Sequence, residues 1–252
     1  MIEINGVSHN YGKSKILQNI SLSIKESGIT ALIGPNGAGK STLLSLMARL
    51  QPLQTGSIMF DGHSVSQTPT RELAKTLAIL RQDNALSSRM SLRDLVGFGR
   101  YPHHKGRPTA KDHRAVEEAL DYFDLQDMSG RFIDEVSGGQ KQRALVAMAF
   151  CQETKYLLLD EPLNNLDMYY ARSLMKRLRE IADTGKRSFV IVLHDINYAG
   201  AYANEIIALK DGTLAIHGPP QDVLETNALQ TLYSMKITVT QHQDQLVALH
   251  HL

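Results

Sequence analysis

The residues best suited to chemistry are Gly34, Pro35, Asn36, Gly37, Ala38, Gly39, Lys40, Ser41 and Thr42, which fill the pattern G-x-x-x-x-G-K-[ST]. Glycines let successive backbone N–H groups curl around an anion with no Cβ in the way. The apolar run Thr30-Ala31-Leu32-Ile33 before the loop reads as a buried strand, and Leu43-Leu44-Ser45-Leu46-Met47-Ala48 after it reads as a helix. The loop then delivers its anion to a helix N-terminus, where unpaired N–H groups and the helix dipole favour negative charge. In that setting Lys40 reaches the β and γ phosphates of a nucleotide, and the Ser41 hydroxyl holds Mg²⁺. By itself the stretch is also compatible with a plain glycine-rich turn carrying a chance lysine.

Three other stretches bear on that choice. Leu157-Leu158-Leu159-Asp160-Glu161 is an apolar strand ending in two carboxylates, and a strand buried on both faces ends so where a cation waits. Asp160 would bind Mg²⁺ through water, and Glu161 would polarise a water attacking the γ phosphate. Alone, the pair is equally a strand meeting solvent; with a phosphate loop about 120 residues upstream the catalytic reading gains. Ser137, Gly138, Gly139 and Gln140 precede a helix over 141–150, with Ser137 as N-cap, a second phosphate-ready helix start. His194 follows the apolar run 189–193, at the strand edge where ligands bind in open α/β sheets. The other nine histidines, including His103, His104, His242, His250 and His251, show no metal-ligand spacing.

The elements that must position these residues alternate in type. Ile2–Val7 and Leu17–Ile24 read as strands joined at Tyr11-Gly12-Lys13, an antiparallel hairpin leading into the nucleotide core. Strands are expected at 56–62 and 77–80, the latter leading to Gln82. Residues 83–155 read as a mostly helical insertion. It has a short helix after Ser91, a basic Pro/Gly-punctuated loop at 99–108, and a helix capped by Thr109 with Val116, Leu120 and Phe123 inward. Parallel strands follow at 156–160 and 188–193, with an amphipathic helix over 171–182 between them. Two short strands flank Asp211-Gly212, and the tail 226–252 is read as ending in a β-hairpin over 237–249.

Composition narrows the classes. The 252 residues hold 27 Lys+Arg against 26 Asp+Glu, a formal charge of +1, so neither nucleic acid nor an acidic membrane surface is the expected main partner. Cys151 is the only cysteine, which forbids an intramolecular disulfide. The first residues have neither the basic nor the apolar region of a signal peptide. Apolar runs stop far short of the ~20 residues of a membrane span, so the chain is expected to be soluble and to reach a membrane through a partner.

Taken together, the motifs resemble the nucleotide-binding subunit of an ABC transporter, from Tyr11 to about Gly218. They comprise a Walker A loop (34–42), a glutamine-loop residue (Gln82), a signature similar to LSGGQ (Ser137 to Gln140), a Walker B strand (157–161) and a switch histidine (His194). The resemblance implies the P-loop NTPase α/β fold of ABC ATPases as a single domain. Its mainly parallel core sheet (1–82 and 156–225) is flanked by helices, with an N-terminal antiparallel β subdomain and a helical subdomain (83–155). It implies that Tyr11 stacks on adenine, that Gln82 senses Mg²⁺ and the γ phosphate, that Glu161 is the catalytic base, and that His194 contacts the γ phosphate. Asp167 would act across a head-to-tail dimer of two copies with ATP between them. Val136 replaces the usual leucine of the signature, and Leu163-Asn164-Asn165-Leu166-Asp167 departs from the usual serine-alanine-leucine-aspartate segment.

Gly99-Arg100-Tyr101-Pro102-His103 and the Asn-Asn-Leu-Asp segment resemble the importer ATPases for iron–siderophore complexes, haem or cobalamin. The resemblance implies ATP hydrolysis at the cytoplasmic face of a bacterial inner (cell) membrane. The chain would be a peripheral subunit docked on permease subunits through residues including 83–104, with a substrate-binding protein as indirect partner. The rival readings are a soluble ABC ATPase of translation or DNA repair, and a protein that binds ATP without turnover. The chain shows none of the tandem domains, coiled-coil insertions or basic patches of the first, and the presence of Glu161 and His194 counts against the second.

Overall fold

The computed structural model describes residues 1–82, 89–243 and 245–251, which divide into two compact units, Met1–Thr68 with Leu178–Leu252 and Pro69–Arg177. Strand β1 (Ile2–Tyr11) pairs antiparallel with β2 (Ser14–Ile24), whose partners run from Ile2↔Ile24 to Tyr11↔Ser14. Alternation buries Ile2 and Ile4 in β1, and an irregularity between Ile4 and Val7 moves the buried set to Val7 and His9. Strand β3 (Gly28–Ile33) carries the chain into the phosphate loop and helix α1 (Lys40–Met47). Strand β4 (Thr55–Phe60) returns to β1, and β5 (His63–Ser64) completes a four-stranded sheet in the order β2-β1-β4-β5.

The second unit opens with α2 (Thr70–Thr76) and β6 (Leu77–Leu80). Three helices form its body: α3 (Leu92–Phe98), α5 (Ala110–Tyr122) and α6 (Gly138–Cys151) pack on one another, with α4 (Tyr101–His104) between the first two. Each of the three starts on a capping box, Ser91 with Asp94, Thr109 with Asp112 and Ser137 with Gln140. Such pairs satisfy two orphan N–H groups at each helix start, and an N-cap alone is worth about 1 kcal/mol. Strand β7 (Tyr156–Asp160) lies parallel to β6, and α7 (Met168–Asp183) then carries the chain out of this unit.

The segment 99–108, read as a basic Pro/Gly-punctuated loop, instead contains α4, and its Arg100 is 2 % exposed. Its guanidinium donates to Asp112 Oδ1 at 3.1 Å, to the Cys151 carbonyl at 2.9 Å and to Glu153 Oε2 at 2.8 Å. A cation carried by a loop goes inside when a carboxylate and a carbonyl wait there, and composition does not reveal those partners. Burial works to raise the Asp112 carboxyl. The Thr109 hydroxyl and N–H, with the Arg100 guanidinium, outweigh it and hold the group well below the usual carboxylate range.

Back in the first unit, β8 (Ser188–Val192) and β9 (Glu205–Lys210) flank β3 in parallel, joined by α8 (Ile196–Tyr202), and β10 (Thr213–Gly218) closes antiparallel on β9. Strands β3 and β8 are apolar and buried almost throughout, as strands covered on both faces should be. Each such Val, Leu or Ile contributes about 1.5–3 kcal/mol relative to an exposed one. The chain ends in α9 (Pro220–Val223), α10 (Thr226–Tyr233) and a hairpin of β11 (Thr238–His242) and β12 (Gln245–Leu249), matching the hairpin read from the sequence. Among the described residues no helix is long and apolar enough to cross a membrane.

Candidate functional site

The phosphate loop is shaped by its backbone. Gly34 leaves β3 at φ 141°, and a Cβ there would lie 2.1 Å from the Leu209 carbonyl oxygen, so no other residue fits. Gly39 holds the N-cap position of α1 in the left-handed region, φ 96°, with no side chain to cap the helix. Helix α1 thus begins directly from the loop, where its N-terminal dipole favours an anion. Lys40 is only 5 % exposed, and its Nζ donates to the carbonyls of Gly34 at 2.8 Å and Pro35 at 3.0 Å. Those two bonds hold the cation within the loop.

Register brings His194 to the same edge. Strands β3 and β8 pair in parallel from Gly28↔Ser188 to Leu32↔Val192. Continued two residues, that register sets Gly34 and His194 at equivalent positions beyond neighbouring strand ends. Asp195 caps α8 by accepting from the Asn197 N–H at 2.8 Å, so His194 sits exposed on a short link between strand and helix. Tyr11, 48 % exposed, ends β1. Its ring meets buried His9 edge-on, centroids 5.0 Å apart, and its hydroxyl accepts from Gln51 Nε2. Neither His9 nor Gln51 falls in a motif, so no sequence pattern singles them out.

In the second unit the same kind of register explains Gln82. Leu80 pairs with Leu159, so the positions two further on are Gln82 and Glu161. Gln82 Nε2 donates to Glu161 Oε2 at 2.7 Å, and Asn164 Nδ2 donates to the same oxygen at 2.6 Å. Asp160 and Glu161 are 6 % and 8 % exposed, and Glu161 has left-handed φ of 51°. A non-glycine residue in that region is held there by its surroundings. The carboxylate thus ends a buried strand with one oxygen gripped by two amides. Asn164, read in the sequence as part of the Asn-Asn-Leu-Asp segment and given no role of its own, is a member of this cluster.

The signature stretch forms the start of α6. Ser137 Oγ accepts from the Gln140 N–H at 3.2 Å, and the Ser137 N–H donates to Gln140 Oε1 at 2.9 Å. Gly138 and Gly139 abut Asn165, whose carbonyl oxygen would be 3.1 Å from a Cβ at Gly139. Asp167 Oδ1 accepts from the Tyr170 N–H at 2.9 Å at the start of α7, which gives it a local capping task. Met168 and Tyr169 beside it are 87 % and 75 % exposed.

The site residues thus fall into two groups. The phosphate loop, Tyr11 and His194 belong to the first unit; Gln82, Ser137 to Gln140, Asp160, Glu161 and Asp167 belong to the second. Of the expected docking stretch 83–104, residues 83–88 lie outside the described residues. Among the described residues no three His, Cys, Asp or Glu side chains are grouped as metal ligands. The expected donors for Mg²⁺, Ser41, Gln82 and Asp160, are hydroxyl, amide and carboxylate, the hard oxygen chemistry that this ion takes.

A strand running into a glycine-shaped loop and a helix that begins with a buried lysine define a P-loop nucleotide-binding protein. The family model described as ABC transporter matches residues 17–164. The chain belongs to the ABC transporter family. It is 42 % identical over 250 residues to the petrobactin import ATP-binding protein YclP of Bacillus subtilis (strain 168), covering 99 % of each chain. It is 43 % identical over 239 residues to the petrobactin import ATP-binding protein FatE of Bacillus anthracis, covering 95 % of this chain and 96 % of that one. Among solved structures it resembles the dimeric structure of MJ0796, a bacterial ABC transporter cassette. That match has a TM-score of 0.79 at 26 % identity and covers 87 % of this chain and 99 % of the other.

Proposed function

We propose that the chain is the ATP-binding and ATP-hydrolysing subunit of an importer that powers uptake of an iron–siderophore complex through a separate permease. The observation that carries the hydrolytic part is the Glu161 carboxylate, nearly buried and held by Gln82 and Asn164 at one oxygen. A carboxylate fixed in this way is held in place to orient water for attack on a γ phosphate. Lys40 neutralises phosphate charge, and the backbone N–H groups at the start of α1 supply fixed donors for it. Ser41 and Asp160 are the residues read as holding Mg²⁺, with Gln82 beside them in that role; the ion supplies charge stabilisation for phosphoryl transfer. His194 is assigned to the γ phosphate and Tyr11 to the adenine. Ser137 to Gln140 and Asp167 are assigned to the nucleotide held by a second copy in a two-fold dimer.

The cargo reading rests on full-length likeness to the petrobactin import proteins, and it makes a ferric siderophore the transported solute. Permease docking is assigned to the second unit. There Arg89, Arg93, Phe98, Tyr101, His104 and Val116 help line a groove of about 580 Å³. Phe98 and Tyr101 are 55 % and 58 % exposed, in a lining that holds the carboxylates Asp94 and Asp112 as well as arginines. Such a surface suits an amphipathic helix, its apolar side on the aromatic rings and its polar groups at the rim.

Co-expression with a polytopic permease tests the assignment. The chain should fractionate with membranes when the permease is present and stay soluble without it. Cells lacking the chain should lose uptake of ferric petrobactin, and wild type but not Glu161→Gln should restore it. Unchanged uptake would reject the cargo while leaving the ATPase reading untouched. Failure to fractionate with any permease would reject the transport role.

A further inference from the structure

The C-terminal segment is packed against the elements that carry the candidate catalytic groups of the first unit. Strand β12 lies on α8. There the Asn197 side chain exchanges both its bonds with one backbone residue. The Ala248 N–H donates to Asn197 Oδ1 at 2.8 Å, and Asn197 Nδ2 donates to the Ala248 carbonyl at 3.3 Å. A primary amide carries the same donor and acceptor as a peptide group, so Asn197 completes the hairpin as a further strand residue would. Ala248 is 3 % exposed and Ala199 is fully buried. A Cβ on Gly200 would lie 3.6 Å from the Leu246 carbonyl oxygen, so helix and hairpin run close together.

Neither partner is self-sufficient. Helix α8 has seven residues, well short of the ~12–15 that an isolated helix needs to persist in water. A lone two-stranded hairpin such as β11–β12 is marginal as well. Other bonds tie the segment to itself and to β9. The Val239 N–H donates to Thr226 Oγ1 at 3.0 Å, Gln230 Nε2 donates to the Ile237 carbonyl at 2.9 Å, and Lys210 Nζ donates to Ser234 Oγ at 3.0 Å. At the end of α10 the Tyr233 hydroxyl faces the Gly34 backbone, though without a regular hydrogen bond.

We infer that the C-terminal segment is a brace for the catalytic centre, in which Asn197 clamps the first turn of α8 to β12 and so fixes His194, three residues upstream. Asn197 is a positioning residue, and its effect on turnover rests on the assignment of His194 to the γ phosphate. A histidine on a link between strand and helix takes part of its placement from the helix beyond it. Geometry loosened by a fraction of an ångström costs rate while sparing affinity, because the loop that grips the nucleotide stays whole.

The test uses the full-length chain. In Asn197→Ala and Asn197→Asp, backbone hydrogen exchange over residues 196–202 should speed up by at least about tenfold. The aspartate should do at least as much, since it turns the donor facing the Ala248 carbonyl into a second acceptor. Steady-state ATPase should show kcat lower by about three- to tenfold with KM for ATP within about twofold. In a double-mutant cycle, Asn197→Ala should add nothing on a His194→Ala background. A chain that had merely lost stability would lose turnover by the same factor in both backgrounds, and that result would overturn the brace. So would unchanged exchange in α8. If His194→Ala turned over at the wild-type rate, the assignment of His194 would fall, and the exchange measurement would still decide whether the segment orders α8.

Discussion

The phosphate loop and the Glu161 cluster are built by opposite means. In the first unit the loop is specified by backbone. Gly34 and Gly39 adopt conformations or approaches closed to other residues, and no side chain caps α1. In the second unit the carboxylate is specified by side chains. Gln82 and Asn164 both donate to one oxygen of Glu161, and Gln82 lies 79 residues away in sequence. A backbone site announces itself as a contiguous motif, because each constraint acts on its own residue. A side-chain site is more scattered, because strand register supplies a neighbour such as Gln82 that sequence proximity does not. The same contrast predicts how each should fail. The loop should tolerate changes at its variable positions, whereas the cluster should respond to every member.

The largest effect should separate the two regions outright. Glu161→Gln keeps shape and burial but removes the base, so kcat should fall by about 10²–10⁴-fold while ATP still binds and the dimer accumulates. Wild-type turnover in that variant would remove Glu161 from the mechanism. Lys40→Ala should do the converse. Losing a charge-assisted contact to phosphate should weaken ATP affinity by about ten- to a hundredfold, measured by equilibrium binding. Unchanged affinity would leave the loop without its assigned ligand.

A finer comparison sets Asn36→Ala against Asn164→Ala. Asn36 is an exposed, variable position of the loop, and its loss should change ATP affinity by less than about twofold if main-chain groups do the binding. Asn164→Ala removes a bond to a carboxylate and should lower kcat by about tenfold. Equal responses would erase the distinction drawn between the regions.

The smallest effect concerns Tyr233, whose hydroxyl burial pushes up to about 12, with the Gly34 backbone opposing it in part. A raised native pKa gives stability that is whole below the unfolded value near 10 and is lost as pH climbs from there towards 12. Near neutral pH, Tyr233→Phe should be within about 0.5 kcal/mol of wild type in urea denaturation, since the hydroxyl makes no regular hydrogen bond. Above pH ~10 it should lose less stability than wild type. Parallel pH profiles for the two chains would show that the hydroxyl is not buried.

The sequence by itself settled the phosphate loop, the strands with continuous apolar runs, the capped helices and the order of motifs that places the chain in its family. Those features are local: a glycine at a position closed to side chains, a Ser91 or Thr109 three residues before an aspartate, four apolar residues running into Asp160. Tertiary structure decided what depends on residues far apart in the chain. It made Arg100, read as part of a basic loop, a buried anchor between Asp112 and Glu153. It set Gln82 on Glu161, 79 residues later. It also joined Ala248 to Asn197, 51 residues earlier. The physical reason is common to all three. A hydrogen bond or ring contact between distant residues carries no periodicity, and its partners are chosen only when strands find their register and helices their packing.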